Sequence, residues 1–127
     1  MKPTAHLIYG FAGAGKTTFA QRLENHTGAV RFTHDEWMHR LYGPNPTEDR
    51  FFDLYDRVDG IIWELALKLL GSGMDVILDS GFWARSKRDT AREAVESAAA
   101  RPVFYWVRTP LEVMRRRARE IAIKQGS

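Results

Sequence analysis

Residues 10–17 read Gly-Phe-Ala-Gly-Ala-Gly-Lys-Thr, and no other stretch of the chain limits its fold so narrowly. Successive backbone N–H groups can point into one small volume only where side chains are absent and unusual backbone angles are tolerated. The stretch follows the apolar run AHLIYG (5–10) and leads into KTTFAQRLENH, which has the pattern of a helix. A strand, a glycine-rich loop and a helix in that order aim the positive end of the helix dipole at whatever anion the loop holds. The segment is therefore expected to be a phosphate cradle at the carboxyl end of a strand.

The rest of the chain supplies the sheet that such a cradle needs. Besides 5–10, the runs 29–34 (AVRFTH), 74–80 (MDVILDS) and 102–109 (PVFYWVRT) read as strands. The third has almost no polar alternation, as expected of a parallel strand covered on both faces. Helical patterns lie near 16–26, 48–70, 86–99 and 110–123, so β and α units alternate and predict a doubly wound α/β sheet. At 127 residues, without linker or repeat, residues 1–127 are read as a single domain. Thr109-Pro110-Leu111-Glu112 has the form of a capping box, and Thr47 precedes two acids at a helix start. From Val58 to Leu70, residues Ile61, Ile62, Leu65, Leu69 and Leu70 are expected to form a broad buried face. A bend is allowed at Gly60, and Gly71 is expected to end the helix.

Gly10 to Thr17 match G-x-x-x-x-G-K-[ST], the P-loop, at every specified position. The backbone of Gly10, Ala12, Gly13, Ala14 and Gly15 is then expected to cradle the phosphates of ATP, with Thr18 in the first turn of the helix beyond. Lys16 would bridge the β- and γ-phosphates, and the Thr17 hydroxyl would ligate Mg²⁺. Asp79 ends the apolar strand Val76-Ile77-Leu78, where a carboxylate next to the P-loop strand reaches the same metal. Its plainer reading is a turn or cap residue. Asp35 directly follows the second strand, at the sheet edge where open α/β folds bind ligands. There it could take the proton of an acceptor hydroxyl, or simply cap the next helix. Arg40, five residues on, could anchor an anionic part of the acceptor, whereas Glu36 reads as a solvated first-turn residue.

Trp37, Tyr42, Phe82 and Trp83 fall after the second and third strands and could form a flat apolar wall of an acceptor pocket, or close the core instead. Trp37 and Trp83 are taken as substrate residues. The four histidines (His6, His26, His34, His39) show no metal spacing, and the absence of cysteine excludes thiolate metal sites and disulfides. No run approaches a membrane span or signal peptide, so the expected location is the cytoplasm and no membrane partner is expected. Residues 101–127 carry seven Arg/Lys against two Glu, and the rest of the chain is slightly acidic. That basic run is either a solvated helix face or a lid that closes on polyphosphate; nucleic acid ranks third. Arg115, Arg116, Arg117 and Arg119 cannot all point inward, and Arg116 with Arg119 is the favoured catalytic pair.

The order of GFAGAGKTTFA, THDEWMHRLYGPNPTEDRFFDLYDRV, DVILDSGFWARSKRD and TPLEVMRRRARE resembles the small bacterial P-loop kinases of the AAA_33-type group. These are similar to zeta toxin, chloramphenicol phosphotransferase and polynucleotide 5′-hydroxyl kinase. The resemblance covers nearly the whole chain. It implies a three-layer P-loop NTPase sandwich with a mostly parallel sheet, an acceptor-activating role for Asp35, a magnesium-side role for Asp79 and a lid over about 110–124. Members of the group continue into a fifth strand that this sequence is expected to lack, so the expectation is a truncated form or a second copy covering the open sheet edge. The expected function is ATP-dependent transfer of the γ-phosphate to a hydroxyl of a small molecule (nucleoside, sugar or drug-like compound). Nucleic acid enters only as a 5′-hydroxyl substrate. The alternatives are a nucleotide-binding module with little or no turnover and a simple ATPase.

Overall fold

Four parallel strands in the order β2-β3-β1-β4 form the sheet of the computed structural model, which describes residues 2–10, 15–43, 48–81 and 84–108. β1 (Thr4–Tyr9) leads to α1 (Lys16–Thr27), β2 (Val30–Thr33), α2 (His34–Tyr42) and α3 (Glu48–Gly71). β3 (Val76–Gly81), α4 (Arg85–Ser97) and β4 (Arg101–Trp106) follow. The four described strands, with helices on both faces, agree with an α/β P-loop sandwich. The N-cap of the lid helix at Thr109, Thr47, and the lid itself lie outside the described residues.

The two-residue period of the strands sorts side chains into two cores. Ala5, Leu7, Val76, Leu78 and Phe32 face α2, α3 and α4, where they bury Met38, Leu54, Val58, Ile62, Ala66, Leu70, Ala91 and Val95. Ile8 and Ile77 face the other way and pack on Ala20 and Ala29, with Phe19 and Leu23 of α1 partly buried against them. Asp79 is two residues beyond Ile77 on β3 and so falls on the α1 side, whereas Ser80 falls on the α3–α4 side. That single alternation assigns the two residues to different halves of the site.

Several local expectations change. The segment after β2 is a helix, α2, with Asp35 and Glu36 in its first turn and His39 and Arg40 in its last, each sign at the favoured end of the dipole. Its N-cap is Thr33, so Asp35 is not the cap and its carboxylate is not used there. α3 runs unbroken through Gly60, where an added Cβ would meet nothing. Its buried stripe is Leu54, Val58, Ile62, Ala66 and Leu70, while Ile61 (47% exposed) and Leu65 (40%) face outward. Gly71 is still helical, and the left-handed residue that ends the helix region is Gly73 (φ 85°). β4 is only half-buried and its Trp106 is exposed, stacked on Tyr9 and covered by the Arg108 guanidinium.

Candidate active site

The end of β1 turns at Gly10, whose φ of 155° and surroundings both demand glycine. A Cβ there would lie 2.5 Å from the carbonyl oxygen of Val107, which is backbone and cannot swing away. Gly15 holds a left-handed conformation (φ 94°) as the N-cap of α1, so the helix begins at Lys16 with no acid in its first turn. Its leading N–H groups are thus available to an anion. Ala12, Gly13 and Ala14 lie outside the described residues; Thr18 is exposed in the first turn of α1.

Asp79 is 3% exposed and accepts from both functional side chains of that turn. Lys16 Nζ lies 3.4 Å from its Oδ1, and Thr17 Oγ1 donates to its Oδ2 at 3.2 Å. A buried carboxylate is tolerable only when paired and hydrogen-bonded, and these two donors provide both. The Thr17 hydroxyl and the Asp79 carboxylate converge as the oxygen donors of a magnesium site do. Among the described residues no three or more His, Asp or Glu side chains converge on a metal position. One hydroxyl and one carboxylate are a donor set that magnesium accepts, since it usually keeps several waters and takes one or two protein carboxylates plus substrate phosphates.

A cavity of about 460 Å³ opens beside this pair and is lined by Gly10, Lys16 and Asp79 together with Asp35, Phe51, Phe52 and Tyr55. Asp35 thus shares one space with the P-loop lysine, although the two are nineteen residues apart. It makes no hydrogen bond or ion pair among the described residues. The expected aromatic wall is built otherwise. Trp37 packs on Phe32 at 6.1 Å between ring centroids and belongs to the core, lining neither described cavity. Arg40 and Tyr42 are exposed on the last turn of α2 and also line neither. Phe82 and Trp83, and the lid residues Arg116 and Arg119, lie outside the described residues. Phe51, Phe52 and Tyr55 of α3 supply the wall instead.

Tyr55 is anchored from three directions. Its hydroxyl donates to the Ser80 carbonyl at 3.2 Å, and its own carbonyl accepts from His34 Nε2 at 3.1 Å. The His34 ring lies against the Tyr55 ring, 3.7 Å between centroids. Burial, followed by the nearby Asp59 and Asp35 carboxylates, pushes the Tyr55 hydroxyl up to about 12. His34 is 1% exposed, and burial lowers its pKa below the ordinary 6.5 against the opposing pull of Asp59 and Asp35. The neutral ring with its proton on Nε2 satisfies the Tyr55 carbonyl, leaving Nδ1 without a partner among the described residues. The i, i+4 spacing of Phe51, Tyr55 and Asp59 was the sequence signal for this face of α3.

No helix of the described residues is long and apolar enough to cross a membrane. No curated protein matches the sequence. Among solved structures, a chain of the Pnkp1/Rnl/Hen1 complex superposes with a TM-score of 0.76 at 20% identity, over 91% of this chain and 38% of that one. The APS kinase CysC of Mycobacterium tuberculosis, in complex with AMPPNP and APS, gives 0.64 at 23% identity over 91% and 68%. A gluconokinase from Sinorhizobium meliloti gives 0.58 at 20% over 89% and 62%. This chain therefore spans well under half of the first of these structures and about two thirds of the other two. They share its fold, a P-loop kinase sandwich. The sequence profile of the AAA_33 family, described as an AAA domain, matches residues 6–124, and the chain belongs to that family.

Proposed function

We propose that the chain is an ATP-dependent phosphotransferase that moves the γ-phosphate to a hydroxyl of a small molecule. The observation that carries this reading is the placement of Asp35, a carboxylate without an ion-pair partner among the described residues, in one cavity with Lys16 at the start of α1. That an APS kinase and a gluconokinase are among the structural neighbours supports the reaction class.

In this reading the backbone N–H groups at the start of α1 and the Lys16 ammonium hold the β- and γ-phosphates. Lys16 exchanges its contact with Asp79 for phosphate oxygens when nucleotide arrives. Thr17 and Asp79 would hold magnesium, which when bound neutralises charge on those oxygens. Asp35 orients the acceptor hydroxyl and takes its proton. The hydroxyl oxygen forms a bond to the γ-phosphorus as the bond from that phosphorus to the bridging oxygen breaks, and ADP leaves with the electron pair. Arg116 and Arg119 are assigned to the charge that develops on the transferring group. Trp37 and Arg40 are set aside as acceptor contacts in favour of Phe51, Phe52 and Tyr55. A second copy covering β4 remains part of the proposal for partners.

The test mixes the protein with Mg-ATP and a panel of nucleosides, sugars, drug-like alcohols and 5′-hydroxyl oligonucleotides, following ADP release and the mass of the acceptor. Acceptor-dependent ADP release with a product heavier by one phosphoryl group is expected. Nucleotide binding without turnover on any acceptor would favour a binding module, and acceptor-independent release a simple ATPase.

A further inference from the structure

The space beside Asp35 adjoins a second cavity of about 370 Å³ between α3 and α4. Tyr55, Asp56, Ser80 and Lys87 line both, so the two form one path from the Lys16–Asp79 pair to an apolar end at Trp63 and Leu67. A ligand whose hydroxyl sits at Asp35 can therefore place the rest of its body between the two helices.

Charge along the path is lopsided. On the outward faces of α3 and α4 every ion-paired acid has arginine partners: Asp53 has Arg50 and Arg57, and Asp89 has Arg85 and Arg92. Asp56 and Asp59, one turn apart on α3 and lining the second cavity, join no ion pair among the described residues. Asp59 is half-buried, and burial pushes its carboxyl up against the opposing pull of His34 and Lys87, with Asp56 adding to the rise. Lys87, in the first turn of α4, is the one cation besides Lys16 that the described residues contribute to either cavity. Lys16 is already committed to Asp79. A carboxylate or phosphate on the acceptor would meet two unpaired acids for one lysine, whereas an ammonium would relieve both.

Resting on the phosphotransferase reading above, the geometry points to an acceptor that is an amine-bearing hydroxyl compound, an amino alcohol or amino sugar. Its ammonium group lies at Asp56 and Asp59, its apolar face lies against Trp63, and its reacting hydroxyl lies at Asp35. The aromatic face of Trp63 adds attraction for a nearby cation. Specificity in this arrangement comes from the α3 carboxylates and not from the phosphate cradle.

Two matched sets of probes test this. Glucosamine, N-acetylglucosamine and gluconate carry an ammonium, a neutral amide and a carboxylate on similar hydroxyl-rich frames. 2-Amino-1-phenylethanol, 1-phenyl-1,2-ethanediol and mandelate carry an ammonium, a neutral hydroxyl and a carboxylate on a phenyl frame. Dissociation constants are measured by NMR titration with Mg-ADP present. In at least one set the ammonium member is expected to bind about tenfold or more tightly than the carboxylate member. The Asp56→Asn/Asp59→Asn double variant, with its thermal midpoint checked, collapses that preference, and Lys87→Gln widens it. Equal or tighter binding of the carboxylate members, or no binding by any member, overturns the inference. Ammonium preference without phosphate transfer from Mg-ATP upholds the pocket's chemistry and counts against the phosphotransferase reading alone. Transfer confined to neutral or carboxylate members upholds that reading and overturns this one.

Discussion

The two halves of the site are built on opposite principles. On the α1 side, Asp79 is buried and both its oxygens are satisfied by Lys16 and Thr17, neighbours in the sequence. On the α3–α4 side, Asp35, Asp56 and Asp59 face cavities with no ion-pair partner among the described residues. A closed set of contacts needs no ligand to be stable. The open carboxylates are left to water, Asp35 and Asp56 being exposed and only Asp59 half-buried, and are free to take a partner from a ligand. In the proposed function the first half is a preformed holder for a constant ligand, and the second is the part that discriminates among acceptors.

The comparison breaks most visibly at Lys16. Lys16→Ala removes the phosphate contact and leaves Asp79 with Thr17 alone, so nucleotide affinity should fall by about 100-fold or more, comparable to losing a charged hydrogen bond or two. Calorimetric titration with Mg-ADP checks this, and an unchanged affinity would show that Lys16 serves Asp79 and not phosphate.

Acid should weaken the acceptor half through its buried histidine. The folded-state pKa of His34 lies below 6.5 because burial penalises the charged ring. Below that ordinary value the unfolded chain takes a proton that the folded chain refuses, so stability is full above about pH 6.5 and falls as pH drops toward the folded-state value. His6 is lowered in the same direction, mainly by burial, and adds to the effect. The slope is at most about 1.4 kcal/mol per pH unit for each histidine. Asp59 acts oppositely at lower pH, because its raised pKa lets the folded state take a proton first. Urea midpoints at pH 7.5 and 5.5 measure the balance, and the decline should be shallower in His34→Gln.

The smallest change is Tyr55→Phe. It leaves the wall in place but removes the donor to the Ser80 carbonyl, and a loss of about 1 kcal/mol in unfolding free energy is expected. A cost well above that would mean that Tyr55 holds β3 and α3 together through more than this bond.

The phosphate half was legible in the sequence because it is local: loop, helix start and Lys16-Thr17 lie within eight residues, and Asp79 ends an unbroken apolar run. The acceptor half depends on which way helices face, which spacing in the sequence leaves open. Trp37 lies two residues after Asp35, but the helical turn carries it inward onto Phe32. α3 was read as burying Ile61 and Leu65, whereas its true stripe runs through Ala66, a residue too small to mark a face by itself. With the stripe moved by that rotation, Phe51, Tyr55 and Asp59 turn toward the site. Gly60 breaks nothing, since a long helix packed along one side outweighs a local propensity cost of about 1 kcal/mol.

The role of Asp35 is the central claim, and Asp35→Asn tests it most directly. The variant keeps the shape of the cavity and removes the base. With an acceptor that the panel identifies, kcat should fall by about 10² to 10⁴-fold while Mg-ADP affinity stays the same. An unchanged kcat, or a loss of nucleotide affinity that accounts for the whole effect, would contradict the account.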